Sequence, residues 1–201
     1  TQNGIIQVTS GNLATVLGER LTITPSLKLT GTIDARDFKT MRDAMPLLSE
    51  IDLSGVNIES YNGSAGSSIF GELDYAANEV PTTAFYNGTV DGNTTLVSII
   101  LPSTATHIRS QAFFNCKNLI SVTLPSSLIS IDSQVFGICS KLSNITFPNS
   151  LLQISDFSFE GCTLLQDINI PASVTHIGSS AFNFCAGPFI VDESNQNYSS
   201  L

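Results

Sequence analysis

Between residues 96 and 187 the apolar positions recur at a fixed interval of 23. Cut at that interval, the segment stacks into four lines without a gap. Each line opens on leucine: Leu96, Leu119, Leu142 and Leu165. Column four reads Ile99, Val122, Ile145 and Ile168. Column six reads Leu101, Leu124, Phe147 and Ile170, each followed by proline. Column ten is Ala105, Leu128, Leu151 and Val174, and column thirteen is isoleucine throughout, at Ile108, Ile131, Ile154 and Ile177. Column eighteen is Phe113, Phe136, Phe159 and Phe182; column twenty-one is Cys116, Cys139, Cys162 and Cys185. A fixed period of this length marks a repeat architecture, whose units cannot bury their apolar positions alone and so must stack.

Spacing inside a line predicts its elements. Columns four and six are two apart, so they share one face of a short strand. Proline in column seven cannot donate to a ladder and ends that strand. Strands are expected near 98–101, 121–124, 144–147 and 167–170, in one parallel sheet with right-handed crossovers. From column thirteen the inward residues fall five and then three apart, which suits a turn or two of α- or 3₁₀-helix. Columns two, three and five alternate away from the core and should pave the concave sheet face. They read Val97, Ser98 and Ile100; Ile120, Ser121 and Thr123; Ser143, Asn144 and Thr146; Gln166, Asp167 and Asn169. This face grades from apolar to polar. Val97, Ile100 and Ile120 make a small apolar patch of the kind that can mark a contact site, although a few exposed apolar residues are ordinary.

Outside the four lines the pattern is looser. Ile6 and Val8 alternate with polar neighbours, as in a short strand. Ser10 and Asn12 are N-cap candidates for a helix carrying Leu13, Val16 and Leu17 and ended by Gly18. Leu21 with Ile23, and Leu27 with Leu29, read as strand pairs. Asp34 starts a second helix, with Asp37 in capping-box position and an apolar stripe of Phe38, Met41 and Met45. Residues 1–47 thus read as an N-terminal cap with a first degenerate repeat. Residues 48–95 restart the repeat at Leu48, Ile51 and Leu53, break it with a Gly/Ser-rich insertion over 54–79, and resume it at Val80, Ala84 and Phe85. After the regular lines of 96–187, residues 188–201 give a last strand at Phe189 and Val191 and a tail with Asn195 and Tyr198. All four segments read as one domain.

The pattern L-x-x-I-x-L-P followed by I-x-x-x-A-F-x-x-C resembles the leucine-rich repeats of the BspA-like (Treponema-type) family of surface or secreted proteins, best known from Bacteroides and its relatives. The resemblance covers all four lines and weaker flanking copies. It implies an α/β leucine-rich-repeat solenoid, right-handed, with a parallel sheet on the concave face and short helical or 3₁₀ turns on the convex face. It also implies an extracellular or outer-surface location and adhesion to host or bacterial surfaces, with extracellular matrix proteins among the partners.

Composition narrows the function. With 42% hydrophobic and 12% charged residues, the chain can build a core and is not disordered by composition. A net charge of −9 argues against nucleic acid and anionic membranes as partners. No apolar run approaches the ~20 residues of a membrane span. No secretion signal is present, so the chain reads as a mature secreted protein or a trimmed one. The four cysteines share one column. Stacked neighbours ~5 Å apart could form disulfides, but an apolar interior column favours four free thiols. The CxxC spacing of zinc sites is missing.

Residues 50–95 hold seven acids and no Lys or Arg. Insertions in repeat proteins commonly line a binding face, while a solvated acidic loop is the plainer reading. Calcium at Glu72, Asp74 or Asp91 would suit clustered oxygens, though no EF-hand spacing supports it. Tyr61, Tyr75 and Tyr86 are the aromatic candidates for carbohydrate capture. His107 and His176 both fall in column twelve, three lines or ~14 Å apart, too far to share a metal. Asp34 and Asp37 could pose as a carboxylate pair, but a helix start explains them. No catalytic, cofactor or metal residues are therefore assigned. The expected function is non-catalytic binding of a host or bacterial surface protein, through the concave face and the inserted loop. The contact set is Val97, Ser98, Ile100, Ile120, Ser121, Thr123, Asn144, Thr146, Asp167 and Asn169 with Tyr61 and Tyr75. A carbohydrate-binding surface protein and a structural spacer are the alternatives.

Overall fold

The apolar columns of successive lines lie over one another in the computed structural model, which describes residues 4–198. In chain order the elements are β1 (Ile6–Val8), α1 (Leu13–Leu17), β2 (Ser26–Ile33), α2 (Ala35–Ala44), β3 (Glu50–Ile58), β4 (Tyr61–Asn62), β5 (Asp74–Tyr75) and β6 (Glu79–Val80). Then come β7 (Ser98–Ile100), β8 (His107–Ile108), β9 (Ser121–Thr123), β10 (Ser130–Ile131), β11 (Gln153–Ile154), β12 (Ile168–Ile170), β13 (His176–Ile177) and β14 (Phe189–Val191). The first sheet runs β1-β2-β3-β7-β9 and is parallel throughout. Its register steps by one line, with Ser98 opposite Ser121 and Ile99 opposite Val122.

The expected strand at 144–147 is reduced to a single parallel bridge between Ser121 and Asn144. Beyond it, β12 pairs with β14 in a separate two-stranded sheet. The four strands therefore do not form one continuous ladder. Column six explains the break: Phe147 stands where the other lines carry Leu or Ile. Its ring lies 5.6 Å from Phe159 and 6.4 Å from Phe182, centroid to centroid. Docking this larger group into the phenylalanine column holds the segment off its neighbours. Clefts of about 330 Å³ and 540 Å³ open on its two sides.

A second parallel sheet runs β6-β8-β10-β11-β13. Its strands are columns twelve and thirteen, where the spacing had suggested the start of a helical turn. β-branched isoleucine favours extended backbone at this corner, and pairing with the same two residues one line on satisfies the backbone polar groups. Past the corner the chain makes isolated 3₁₀-type turns, such as Ala112 N–H to Arg109 O at 3.2 Å and Cys116 N–H to Phe113 O at 3.1 Å. Alternate N–H groups instead donate to the next line: Gln111 to Ser133 O at 3.1 Å, Phe113 to Val135 O at 3.0 Å, Asn115 to Gly137 O at 2.7 Å. The same bonds recur from Gln134, Phe136 and Ile138. Turning N–H groups alternately inward and forward requires positive φ at columns sixteen and twenty. Gln111, Gln134, Phe157 and Ser180 adopt it in one column; Asn115, Ile138, Gly161 and Phe184 adopt it in the other. Only one of the eight is glycine, and an L-residue there costs roughly 1–2 kcal/mol.

One hydrophobic core runs from Val8 to Ala181. Its spine is the phenylalanine column, where Phe85, Phe113, Phe136, Phe159 and Phe182 stack at centroid separations of 5.3, 5.3, 5.1 and 5.2 Å. The cysteines are free thiols beside it. Cys139 donates to Phe113 O and Cys162 to Phe136 O, both at 3.1 Å. Burial pushes all four thiols up, Cys185 at the half-buried end to about 11.

The N-terminal cap departs from expectation at two points. Leu21 and Ile23 are not a strand: Gly18–Thr22 is a 3₁₀ turn, and Ile23 is exposed. Neither Ser10 nor Asn12 caps α1 with its side chain; Asp37 does so from α2, accepting from Gly11 N at 2.6 Å and Leu13 N at 3.0 Å. Asp37 also accepts from Asp34 N while Asp34 accepts from Arg36 N, completing the capping box. Burial raises the Asp37 carboxyl above its ordinary value, against the three N–H donors that hold it down. At the other end, buried Asn195 donates to Pro171 O and Val174 O, and Tyr198 Oη accepts from Ile177 N at 2.7 Å. The rest of the expected tail, 199–201, and residues 1–3 lie outside the described residues.

Candidate functional site

Two regions are candidates: the outward face of the first sheet and the insertion. On the sheet, burial alternates as the columns require. Ile99 and Val122 are buried, while Ile100, Ile120, Ser121, Thr123, Asn144, Thr146, Asp167 and Asn169 are exposed and Val97 and Ser98 half-buried. Ile100 is 38% and Ile120 45% exposed. Ile100 borders a cleft of about 280 Å³ that also involves Glu50, Ser98 and the Lys28–Asp52 ion pair, 2.7 Å across. Lys28 holds the Asp52 carboxyl below its ordinary value despite some burial. The break at 144–147 separates this end of the face from Asp167 and Asn169.

The insertion is shorter than the sequence suggests. β3 continues to Ile58, and Val56 and Ile58 are buried, so the departure from the repeat begins after Ile58. It is not a free Gly/Ser loop either. β4 and β5 form an antiparallel hairpin with Tyr61 opposite Tyr75. Tyr75 is buried, and the loop winds around it: its Oη accepts from Ser68 N at 3.1 Å and donates to Glu72 O at 2.9 Å. Gly66 lies flat on its ring, where an added Cβ would come within 2.3 Å of ring carbons.

This arrangement takes up much of the aromatic surface that a sugar would stack on. Tyr61 is covered by Tyr75 on one side, at 5.9 Å between centroids, and by the Arg36 guanidinium, 4.7 Å from its centroid. Tyr86 is packed edge-on against Phe114. Tyr75 is thus a scaffold residue, while half-buried Tyr61 also lines the neighbouring cleft. Beside them a cleft of about 380 Å³ is lined by Glu72, Asp74, Glu79 and Arg109. Its charges answer one another: Arg109 reaches Glu79 at 2.7 Å and Asp132 at 3.3 Å, and Asn62 donates to Asp74. Among the described residues no three or more His, Cys, Asp or Glu side chains converge as metal ligands would, and Glu72, Asp74 and Asp91 are not brought together as such a group. His107 and His176 sit in β8 and β13, three strand steps apart, with β10 and β11 between them.

Sequence reasoning missed the outer surface of the same loop. Ile69, Phe70 and Leu73 are exposed, at 40%, 67% and 52%. Their signal was available: three large apolar residues within five positions that fit no column of the repeat.

The model of the BspA type leucine-rich repeat region matches residues 78–195 in six copies. No curated protein sequence matches. Among solved structures the chain is similar to a leucine-rich repeat protein of T. pallidum, at 36% identity over 58% of this chain and 51% of that one, TM-score 0.47. A leucine-rich cell surface protein from Faecalibacterium prausnitzii matches at 29% identity over 62% of this chain and 33% of that one, TM-score 0.51. A leucine-rich repeat protein from Bacteroides ovatus matches at 26% identity over 54% and 36%, TM-score 0.44. The chain therefore spans about half the length of the first of these and a third of the second. No helix among the described residues is long and apolar enough to cross a membrane. With its copies stacked in register over 78–195, the chain belongs to the BspA-type leucine-rich repeat family.

Proposed function

We propose that the chain is a non-catalytic protein-binding module of a bacterial cell surface, engaging a host or bacterial surface protein through the outward face of the first sheet. The observation that carries this reading is the division of labour within each strand. Columns four and six are spent on the core, and the intervening side chains are presented in rows with no chemistry assembled among them. Repeat families of this kind use such rows as extended binding surfaces. The cell-surface location is supported by the family and by the likeness to the F. prausnitzii cell surface protein. The packing of Tyr61, Tyr75 and Tyr86 against neighbouring side chains favours this reading over carbohydrate capture.

Surface plasmon resonance against a panel of extracellular matrix proteins tests this reading. Ile100→Glu with Ile120→Glu should weaken binding to a recognised panel member at least about tenfold, the mark of a central contact, with the melting temperature retained. Unchanged affinity would remove the sheet face as the site. A collapsed melting temperature would mean that these columns are packed rather than presented.

A further inference from the structure

The segment Gly66–Leu73 reverses the usual division of a surface loop. Its serines turn inward and its largest apolar groups turn out. Ser67 and Thr83 are both fully buried; Ser67 Oγ donates to Thr82 O at 2.8 Å and Thr83 Oγ1 donates to Ser67 O at 2.9 Å. Arg42, reaching in from α2, donates to Ser67 O at 2.6 Å and Thr83 O at 2.8 Å. Ser68 Oγ accepts from Phe70 N at 3.1 Å and Glu72 N at 3.4 Å. Tyr75 closes the loop from beneath. The result is a fixed frame with Ile69, Phe70 and Leu73 on its outside.

We propose that Ile69, Phe70 and Leu73 form an apolar knob that seats in an apolar pocket, rimmed by Lys and Arg, on a partner protein. The proposal rests on the protein-binding reading above and places a second contact outside the sheet face. A framed loop binds at low ordering cost, because its backbone is already held in one conformation. Charge selects the occupant. Exposed Glu72 and Asp74 flank Leu73, and residues 50–95 carry no Lys or Arg, so a basic rim is the complementary surface. An anionic membrane is disfavoured by the net charge of −9. A second copy is disfavoured too: five of its eight Lys and Arg already pair with carboxylates of their own chain, and the other three, Arg20, Lys117 and Lys141, line none of the four clefts described above.

Fluorescence anisotropy with a labelled amphipathic leucine–lysine helical peptide tests the knob directly. The whole chain should bind this peptide, and Phe70→Ser with Leu73→Ser should weaken binding at least about tenfold at unchanged net charge. The same peptide with its leucines replaced by serine should not bind. Ile100→Ser with Ile120→Ser should leave peptide affinity unchanged. Because the knob side chains are exposed, the melting temperature of the variant serves as the folding control, and Phe70→Ala alone should give an intermediate loss. Equal affinity of wild type and knob variant, or equal binding of the two peptides, overturns the proposal. So does sedimentation with phosphatidylcholine or phosphatidylglycerol vesicles that the knob variant abolishes, which would make the loop a membrane contact. A dimer in sedimentation velocity that the variant abolishes would make it a self-docking surface and overturn it equally. If the knob fails while Ile100→Glu with Ile120→Glu still weakens matrix-protein binding, the sheet-face reading stands alone. The reverse outcome leaves the knob as the contact.

Discussion

Phe136 in the regular lines and Tyr75 in the insertion are both buried aromatics, yet they are held by different means. Phe136 lies between Phe113 and Phe159, and the same contact is repeated above and below. Its side chain makes no hydrogen bond. Tyr75 has one aromatic neighbour, Tyr61, and is fixed by two hydrogen bonds from its hydroxyl to a loop that exists nowhere else in the chain. Repetition lets the lines bury side chains by stacking alone. The insertion has no copy of itself to stack on, so polar side chains do the holding and the apolar ones are released to the surface.

The comparison can be broken most forcefully at Phe136. Phe136→Ala should cost about 3–5 kcal/mol, the usual range for a buried phenylalanine, read from urea melts. A loss under about 1 kcal/mol would show that stacking in this column is not what holds the lines. Asp37→Asn is next. Its amide keeps one acceptor oxygen and sets its NH₂ against either Leu13 N or the Gly11 and Asp34 N–H pair, and the change should cost about 2–3 kcal/mol in the same melts because at least one buried donor loses its acceptor. Tyr75→Phe should cost only about 1 kcal/mol. Amide exchange should quicken over Ser67–Glu72 while the lines around Phe136 stay protected; uniform quickening would mean that the insertion is part of the main cooperative unit.

Ile138→Asn runs the other way. Ile138 is exposed at 42% with φ of 60°, a conformation that asparagine accepts and a β-branched residue resists. The variant should melt later, by the equivalent of about 1 kcal/mol. The thiols give the smallest effect. In the native protein near neutral pH none should react rapidly with a thiol reagent, since burial keeps all four protonated. Cys185, raised only to about 11, should be the first to react as pH climbs toward that value. Denatured without reductant, the chain should titrate four thiols, and a count of zero would mean disulfides.

Side-chain pattern disclosed what side chains decide. The columns named the core residues correctly, the alternation at Ile99 and Ile100 set the faces, and Asp34 with Asp37 marked the helix start. Backbone-driven features stayed hidden. The second sheet is built from two-residue strands whose pairing needs no alternation, so Ile108 and Ile131 looked like a corner rather than a ladder. Left-handed backbone at Gln134 and Ile138 carries no glycine to announce it. Phe147 matched its column as an apolar residue, and only its size, acting through Phe159 and Phe182, interrupts the sheet. The insertion's order was unreadable because its contacts, such as Arg42 with Ser67 O, join positions that no period relates.

The alternating N–H groups of columns sixteen, eighteen and twenty have one further consequence. Each donates to the following line and none to the preceding one, so the peptide dipoles along this arc add, as they do in a helix. That arc therefore has a polarity, electropositive toward its C-terminal side, while at the second sheet Asp132 N and Ser155 N donate the other way, to Ile108 O and Ile131 O. Two copies meeting through like ends would set hydrogen against hydrogen or oxygen against oxygen. Two copies joined through this arc would pair head-to-tail, which generates open arrays, and a closed two-fold dimer would use some other surface.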